Sequence, residues 1–200
     1  MAKLMFYYGA MGGGKSLRLL ATANNFEEKK IPFLCLKSSI DTRDGDYIRS
    51  RVGIERKCAI IYPDTNIFDA VTKYFDILTS QYSTLKWILV DEAQFLTSKQ
   101  IDDLSKVVDE LNINVMCFGI RTDFQSKLFD GSKRLFELAD EFEEIKSSCS
   151  CGRKASINAR VDENDNIIDY GGQVGIEGDI TYLPMCRKCW RERKNNNLKK

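Results

Sequence analysis

The chain has 200 residues, of which 43% are hydrophobic and 30% charged, and its formal net charge is +1. This balance is typical of a globular domain with a sizeable core, and it creates no overall field that would attract nucleic acid or an anionic membrane. The chain has no histidine, which excludes a histidine base, a Ser-His-Asp triad and a histidine metal ligand.

The sequence also bears on location. It has no run of 18 apolar residues, so no transmembrane helix is predicted, and it starts directly in a strand-like run without a signal-peptide pattern. We therefore expect a cytoplasmic protein without a membrane partner. The seven cysteines are not expected to form disulfides in that reducing compartment.

The first motif is a glycine-rich stretch between a predicted strand at residues 4–8 and a predicted helix that includes residues 17–23. It fits the phosphate-binding pattern G-x-x-x-x-G-K-[ST], and these flanks disfavour a chance glycine-rich turn. The backbone N–H groups of such a loop bind phosphates, while Lys15 reaches the outer phosphates and Ser16 holds Mg²⁺. The predicted ATP site consists of Gly9, Ala10, Met11, Gly12, Gly13, Gly14, Lys15 and Ser16.

A second buried strand is predicted at residues 31–37, followed by a polar stretch at 38–57. A loop this long in a compact domain is either functional or disordered. The first part of the stretch carries three arginines and several carboxylates, which suit work on phosphate or Mg²⁺. A mobile, solvated loop fits the composition equally well.

An acidic pair follows the strand predicted at residues 86–90. A short strand at 59–62 and a helix at 67–78 precede it. Ligands of parallel sheets bind at the carboxyl ends of the strands, which is where Asp91 and Glu92 would lie. We expect Asp91 to face Mg²⁺ and Glu92 to act on the substrate; an acidic helix cap is the alternative.

The remaining elements complete an α/β pattern. A helix is predicted at 98–111, a buried strand at 113–118, a helix at 132–139 and a strand at 141–145. This succession predicts a P-loop NTPase-like, mostly parallel sheet with helices on both faces. We assign it to a domain at residues 1–146.

Two cysteine pairs mark a change of composition near residue 147. Cys149 and Cys151 form the first pair, and Cys186 and Cys189 form the second. Four thiolates in two close pairs suit a tetrahedral, structural Zn²⁺ with no open position, whereas a redox C-x-x-C would open a helix in a thioredoxin-like unit.

The predicted zinc-binding β appendage extends over residues 147–192. Residues 154–161 and 166–170 are expected to form two strands joined by a turn. The glycine-rich loop at 171–179 either closes over a small ligand or is an ordinary surface loop. A disordered basic tail is predicted at 193–200.

Together, these segments resemble the thymidine kinases of the cellular type, a P-loop family with a zinc site. The resemblance covers nearly the whole chain. It rests on the segments GAMGGGKS (9–16), DTR (41–43), VDEAQF (90–95), GIRTDFQ (119–125), TYLPMC (181–186) and the two cysteine pairs.

The resemblance implies a salvage enzyme for DNA precursors that transfers the γ-phosphate of ATP, with Mg²⁺, to the 5′-hydroxyl of thymidine or deoxyuridine. It implies a structural Zn²⁺, feedback inhibition by the thymidine triphosphate dTTP, and a homotetramer or dimer. Glu92 corresponds to the catalytic base. ATP would also contact Asp91, Glu92, Ala93 and Gln94, and the residues near Mg²⁺ and phosphate would be Ser16, Asp41, Arg43 and Asp91.

The same resemblance places a glycine-rich lasso over the base. Charge on the transferring group would be stabilised by Arg43 or Arg121. The residues implied for nucleoside binding are Met11, Phe95, Ile120, Arg121, Phe124, Phe129, Gln173, Val174, Gly175, Ile176, Glu177 and Tyr182.

Two other classes stay open when the resemblance is set aside. A zinc-containing P-loop ATPase acting on nucleic acid would use the basic residues of 187–200, but the balanced net charge and the acidic stretch 140–144 oppose it. A nucleotide-binding module without chemistry would leave the acidic pair at 91–92 unused.

Overall fold

The structure is a computed structural model that describes residues 1–79, 84–174 and 181–197. Among these residues, no helix has the length and apolar character needed to cross a membrane. The elements, in chain order, are β1 (Leu4–Gly9), α1 (Lys15–Glu28), β2 (Phe33–Ser38), β3 (Tyr47–Arg49), β4 (Glu55–Lys57), β5 (Ala59–Ile61), α2 (Ile67–Thr79), β6 (Trp87–Asp91), α3 (Ser98–Leu111), β7 (Asn114–Ile120), α4 (Asp130–Leu138), β8 (Glu141–Glu144), β9 (Ser147–Ser148), β10 (Lys154–Ala155), β11 (Ile157–Val161), β12 (Thr181–Met185) and α5 (Arg187–Asn197).

The central sheet has six strands in the order β5-β2-β6-β7-β1-β8, and every neighbouring pair is parallel. Successive strand residues point to opposite faces, and both faces of β1 are buried. Leu4 and Phe6 pack with α3 through Leu104, whereas Met5 packs with α1 through Leu19. The predicted fold class, a P-loop-like parallel sheet with helices on both faces, is therefore confirmed.

The carboxyl ends of four central strands lie at one edge of this sheet. β1 ends at Gly9, β2 at Ser38, β6 at Asp91 and β7 at Ile120. Because the strands are parallel, the residues that follow each of them are brought to the same edge. The motifs that were separate in the sequence thus meet in one place.

The stretch at 38–57, predicted as a loop, contains the β-hairpin of β3 and β4. Tyr47 pairs with Lys57 and Arg49 with Glu55 in an antiparallel ladder. Ile48 explains the order of the hairpin, since its side chain is only 1% exposed and joins the apolar cluster that covers α1. The few apolar residues of this polar stretch are too scattered for their periodicity to predict the strand.

The partner of β11 also differs from the prediction. β11 pairs with β12, from Ile157 opposite Met185 to Val161 opposite Thr181, while residues 166–170 contribute only the isolated bridge between Val161 and Ile167. The carboxylate of Asp162 accepts hydrogen bonds from the backbone N–H groups of Asn164 and Asn166, which closes a local turn instead of a long hairpin.

The tail also departs from the predicted disorder at 193–200, because α5 continues through Asn197. Arg193 and Lys194 form ion pairs with Asp165 and Asp169, and the Lys194 Nζ lies 2.6 Å from Asp169 Oδ2. These contacts hold the basic helix against the turn that follows β11. Residues 198–200 lie outside the described ranges, and the domain boundary at 146–147 stays a prediction.

A glycine in α4 generates a stability prediction. A Cβ on Gly131 would lie 2.5 Å from the carbonyl oxygen of Ala93 and 2.6 Å from that of Leu96. Backbone cannot yield as a flexible side chain does, so we expect Gly131→Ala to lower the free energy of unfolding by about 1–3 kcal/mol. In thermal unfolding, the melting temperature should fall by roughly 2–4 °C for each kcal/mol.

The control is Gly172→Ala, where the added methyl group would be 3.5 Å from its nearest neighbour, the Val174 carbonyl oxygen. Equal melting temperatures for the two variants would contradict the close packing of α4 on the turn at Ala93–Phe95.

Candidate active site

The phosphate-binding loop joins β1 to α1, with Gly14 immediately before the helix. Gly14 has φ of 84°, a left-handed conformation that favours glycine. Gly9 is required for a different reason, because a Cβ there would lie 2.2 Å from the carbonyl oxygen of Ile145. The predicted loop and helix N-terminus are therefore both present, although their contacts with ATP stay a prediction.

Lys15 is a buried cation at the start of α1, with 9% of its surface exposed. Its Nζ donates to the carbonyl oxygen of Ala10 over 2.9 Å. Burial lowers the pKa of Lys15, and the nearby carboxylates of Glu92 and Asp91 only partly oppose this. The desolvated ammonium is poised to interact with an anion in the adjacent cleft.

Asp91 ends β6 beside the loop and is 5% exposed. The hydroxyl of Ser16 donates to Asp91 Oδ1 over 3.3 Å. Burial, reinforced by the neighbouring charge of Glu92, raises the pKa of Asp91 to about 7. The predicted pair of Ser16 and Asp91 is thus formed, and both groups are oxygen ligands of the type that Mg²⁺ uses.

Glu92 follows Asp91 directly and has a left-handed backbone, with φ of 50°. Its Oε1 accepts from Arg43 Nη2 over 2.9 Å, and its Oε2 accepts from the side-chain amide of Gln94. The Gln94 Oε1 in turn accepts from the Ile120 N–H over 3.1 Å. Glu92 is therefore fixed between the ends of β6 and β7.

Ala93 and Gln94 had been expected to contact ATP. Both are buried, with exposures of 0% and 2%, and the side chain of Gln94 is used to hold Glu92 and Ile120. The structure thus places Gln94 beside Glu92 as a support, a role that the sequence motif did not indicate.

The stretch after β2 reaches the same acidic pair. Arg43 Nε donates to Asp41 Oδ1 over 2.6 Å, and Lys37 Nζ lies 3.7 Å from Asp41 Oδ2. The chain Lys37–Asp41–Arg43–Glu92 thus joins β2 to the end of β6. The predicted pair of Asp41 and Arg43 is brought beside Glu92.

These groups line one open cleft of about 800 Å³. Met11, Ile120 and Tyr182 also line it, so part of the predicted nucleoside site shares the cleft with Lys15 and Ser16. Arg51 lines the cleft as well and was missed, because nothing in the polar stretch distinguished it from the neighbouring arginines. Arg121 is exposed beside Gly9 and Ala10, in a separate depression.

Phe95, Phe124 and Phe129, which were predicted to bind the nucleoside, are not among the described residues that line this cleft. Phe95 and Phe129 meet edge to face, with ring centroids 5.7 Å apart. Phe124 is 2% exposed and lies under the Arg160 guanidinium, whose Cζ is 3.7 Å from the ring centroid.

Two buried polar residues of β11 complete this region and were also missed. Asn158 Oδ1 accepts from the Met11 N–H over 2.7 Å, and Asn158 Nδ2 donates to the Thr122 carbonyl over 2.9 Å. Arg160 donates to the Tyr182 hydroxyl and to the Gly172 carbonyl, over 2.9 and 3.0 Å. The signal available was two polar side chains alternating with apolar residues in a predicted strand.

The glycine-rich loop is described only over residues 171–174. Gln173 Nε2 donates to Asp123 Oδ2 over 3.0 Å and to the Leu128 carbonyl over 3.2 Å, and Val174 is exposed. Gly175, Ile176 and Glu177, which were predicted to bind the nucleoside, lie outside the described residues.

The four predicted cysteine ligands come together in the appendage. Cys149 and Cys151 lie in the turn between β9 and β10, and Cys186 and Cys189 lie at the start of α5. Their Sγ atoms are all within 4.8 Å of one another. Burial opposes ionisation of Cys149, but hydrogen bonds from the backbone of Cys151 and Cys186 lower its pKa to about 6. The cluster has the ligand type, number and spacing of a closed metal site.

Comparison with known proteins agrees with this arrangement. A family model described as thymidine kinase matches residues 2–190. A thymidine kinase of Shouchella clausii is 47% identical over 94% of this chain and 96% of its own length. Those of Zymomonas mobilis and Pasteurella multocida are 43% and 41% identical, over 98% and 96% of this chain and 100% and 98% of their own lengths. The chain belongs to the thymidine kinase family.

Proposed function

We propose that this phosphotransferase moves the γ-phosphoryl group of ATP to the 5′-hydroxyl of thymidine, and of deoxyuridine, giving the 5′-monophosphate and ADP. The observation that carries the proposal is the single cleft that Lys15, Ser16, Asp91 and Glu92 share with Met11 and other residues of the predicted nucleoside site. Family membership gives no support to the alternative of an ATPase acting on nucleic acid.

The proposed reaction assigns a role to each group of the cleft. The loop at 9–16 and Lys15 bind the phosphates of ATP. Ser16 and Asp91 would hold Mg²⁺, which neutralises phosphate charge when bound. Glu92 accepts the proton of the 5′-hydroxyl as that oxygen bonds to the γ-phosphorus and the bond from the γ-phosphorus to the β–γ bridging oxygen breaks.

Gln94 and Arg43 support Glu92 in this scheme. Both donate to its carboxylate, which fixes the direction of its oxygens before substrate arrives. A base that is already oriented loses little freedom in the reaction. Asp41 in turn holds Arg43, so the stretch after β2 positions the base.

Further properties belong to the proposal by likeness to the family. We infer a structural Zn²⁺ at the four cysteines, inhibition by dTTP, assembly into a homotetramer or dimer, and activity in the cytoplasm. The glycine-rich loop is proposed to close over the base, with Arg160 holding the Gly172 carbonyl at one end and the Tyr182 hydroxyl at the other.

The proposed activity is tested directly with nucleosides. The protein is mixed with ATP, Mg²⁺ and, in turn, each of the four natural deoxynucleosides or deoxyuridine, and ADP and the nucleotide product are measured. We expect turnover with thymidine and deoxyuridine, which differ by one methyl group and should differ by about 10- to 200-fold at most. Comparable efficiency with deoxycytidine, or no nucleoside-dependent turnover at all, would overturn the proposal.

The base is tested by Glu92→Gln. The amide keeps the size of the side chain but can accept only one of the two hydrogen bonds from Arg43 and Gln94. It cannot accept the proton, so we expect turnover to fall roughly 100- to 10,000-fold. The dissociation constants of ATP and thymidine, measured by calorimetry, should change less than about threefold.

Glu137→Gln is the matched control, because Glu137 lies on the surface of α4 and pairs only with Arg134 among the described residues. Glu92 is not the base if its variant keeps turnover close to that of the control.

The metal site is tested by Cys151→Ser, which replaces the most exposed of the four ligands. We expect the purified wild type to contain one zinc per chain, and the variant to contain much less. The free energy of binding a structural zinc contributes to the free energy of folding. The free energy of unfolding of the variant should therefore be lower by at least about 3 kcal/mol.

Zinc is counted by elemental analysis and stability by thermal unfolding. Cys58→Ser is the control, since Cys58 lies outside the cluster and a serine can keep its hydrogen bond to the Asp46 carbonyl. Stoichiometric zinc in both variants would refute the four-cysteine site.

A further inference from the structure

Three arginines line the cleft on the side of the hairpin β3–β4, and they differ in their partners. Arg43 pairs with Asp41 and Glu92. Arg49 pairs with Asp44 and Glu55. Arg51 has no carboxylate within 4 Å in the parts of the chain that the structure describes. It is thus the cleft arginine whose guanidinium is still available to an anion.

Arg51 also lies against the phosphate-binding loop. Its Nη1 is 3.6 Å from the position that a Cβ on Gly12 would occupy. Burial is the main cause of the lowered pKa of Lys15, but the charges of Arg51 and Arg43 add to it. Lys15 and Arg51 thus both face the same loop, and an anion bound there would offset the repulsion between them.

The turn that carries Arg51 is well anchored. The Ser50 N–H donates to the Ile54 carbonyl over 2.8 Å, and the Gly53 N–H donates to the Ser50 carbonyl over 3.1 Å. Below the turn, Ile48 packs on α1, and Lys37 Nζ donates to the Tyr47 carbonyl over 3.0 Å. The hairpin therefore presents Arg51 to the loop from a fixed base.

We propose that Arg51 binds the outer phosphates of ATP and stabilises the charge of the transferring phosphoryl group. This inference rests on the proposed function, and it selects among the arginines near the site. Arg43 would have to leave Asp41 and Glu92 to reach the phosphates, and Arg121 lies outside the cleft. Arg51 needs only to turn its side chain, because it has no ion pair to break among the described residues.

The test compares Arg51→Gln with Lys57→Gln. Lys57 lies on β4 of the same hairpin, is well exposed and does not line the cleft, so its variant removes one positive charge from the same element. The affinities of AMP, ADP and a non-hydrolysable ATP analogue are measured by calorimetry without nucleoside. Steady-state rates are then measured with ATP varied at saturating thymidine.

We expect Arg51→Gln to lower both the affinity for the ATP analogue and kcat/KM for ATP by about 10- to 100-fold. This is the effect of losing a charge-assisted hydrogen bond. The loss should be smaller for ADP and absent for AMP, and the KM for thymidine should stay within about twofold. Arg51→Lys should recover part of the loss, because it keeps the charge but not the two-pronged geometry.

Two results would overturn the proposal: equal losses for AMP and the ATP analogue, or an Arg51→Gln variant that matches Lys57→Gln in every measurement. The binding series also separates this inference from the proposed function. If the wild type binds ATP but phosphorylates no nucleoside, the kinase proposal fails, while the comparison of AMP, ADP and ATP still decides the role of Arg51.

Discussion

The nucleotide end of the cleft depends on a lysine ammonium held out of water beside a buried carboxylate. Lys15 contacts a backbone carbonyl, and Asp91 contacts the Ser16 hydroxyl. Burial shifts both toward their neutral forms, lowering the pKa of Lys15 and raising that of Asp91. A metal–triphosphate complex carries both signs of charge and favours both ionised forms. The proposed substrate would therefore stabilise the ionised forms of these two buried residues.

The two acids that end β6 act separately because the backbone turns between them. The left-handed conformation of Glu92 directs its carboxylate to Arg43 and Gln94, while Asp91 stays at the loop. Such a conformation is uncommon for a residue with a Cβ and persists only where its surroundings hold it. Here the Gln94 amide bridges Glu92 to the end of β7, so the position of the proposed base is set by two strands at once.

The parts of the site that could be predicted are those that the chain encodes locally. The glycine loop, the acidic pair and the cysteine pairs are short motifs, and the parallel sheet follows from the alternation of elements. The groups that were missed act through long-range contacts: Arg51 depends on how a hairpin folds over α1, and Asn158 and Arg160 depend on the pairing of β11 with β12. Gln94 belongs to a motif that is recognisable in the sequence, but its supporting role could not be predicted, because only the structure shows its partners.

The contacts of Met11 have a consequence for how far this protein can be shortened. Its N–H is bound by Asn158 and its carbonyl by Ser147, so both polar groups of one loop residue are satisfied from beyond residue 146. A fragment cut at the predicted domain boundary would keep every residue of the P-loop motif and yet lack the two side chains that bind the backbone of Met11. The smallest autonomous nucleotide-binding unit is therefore larger than the motif-bearing α/β domain.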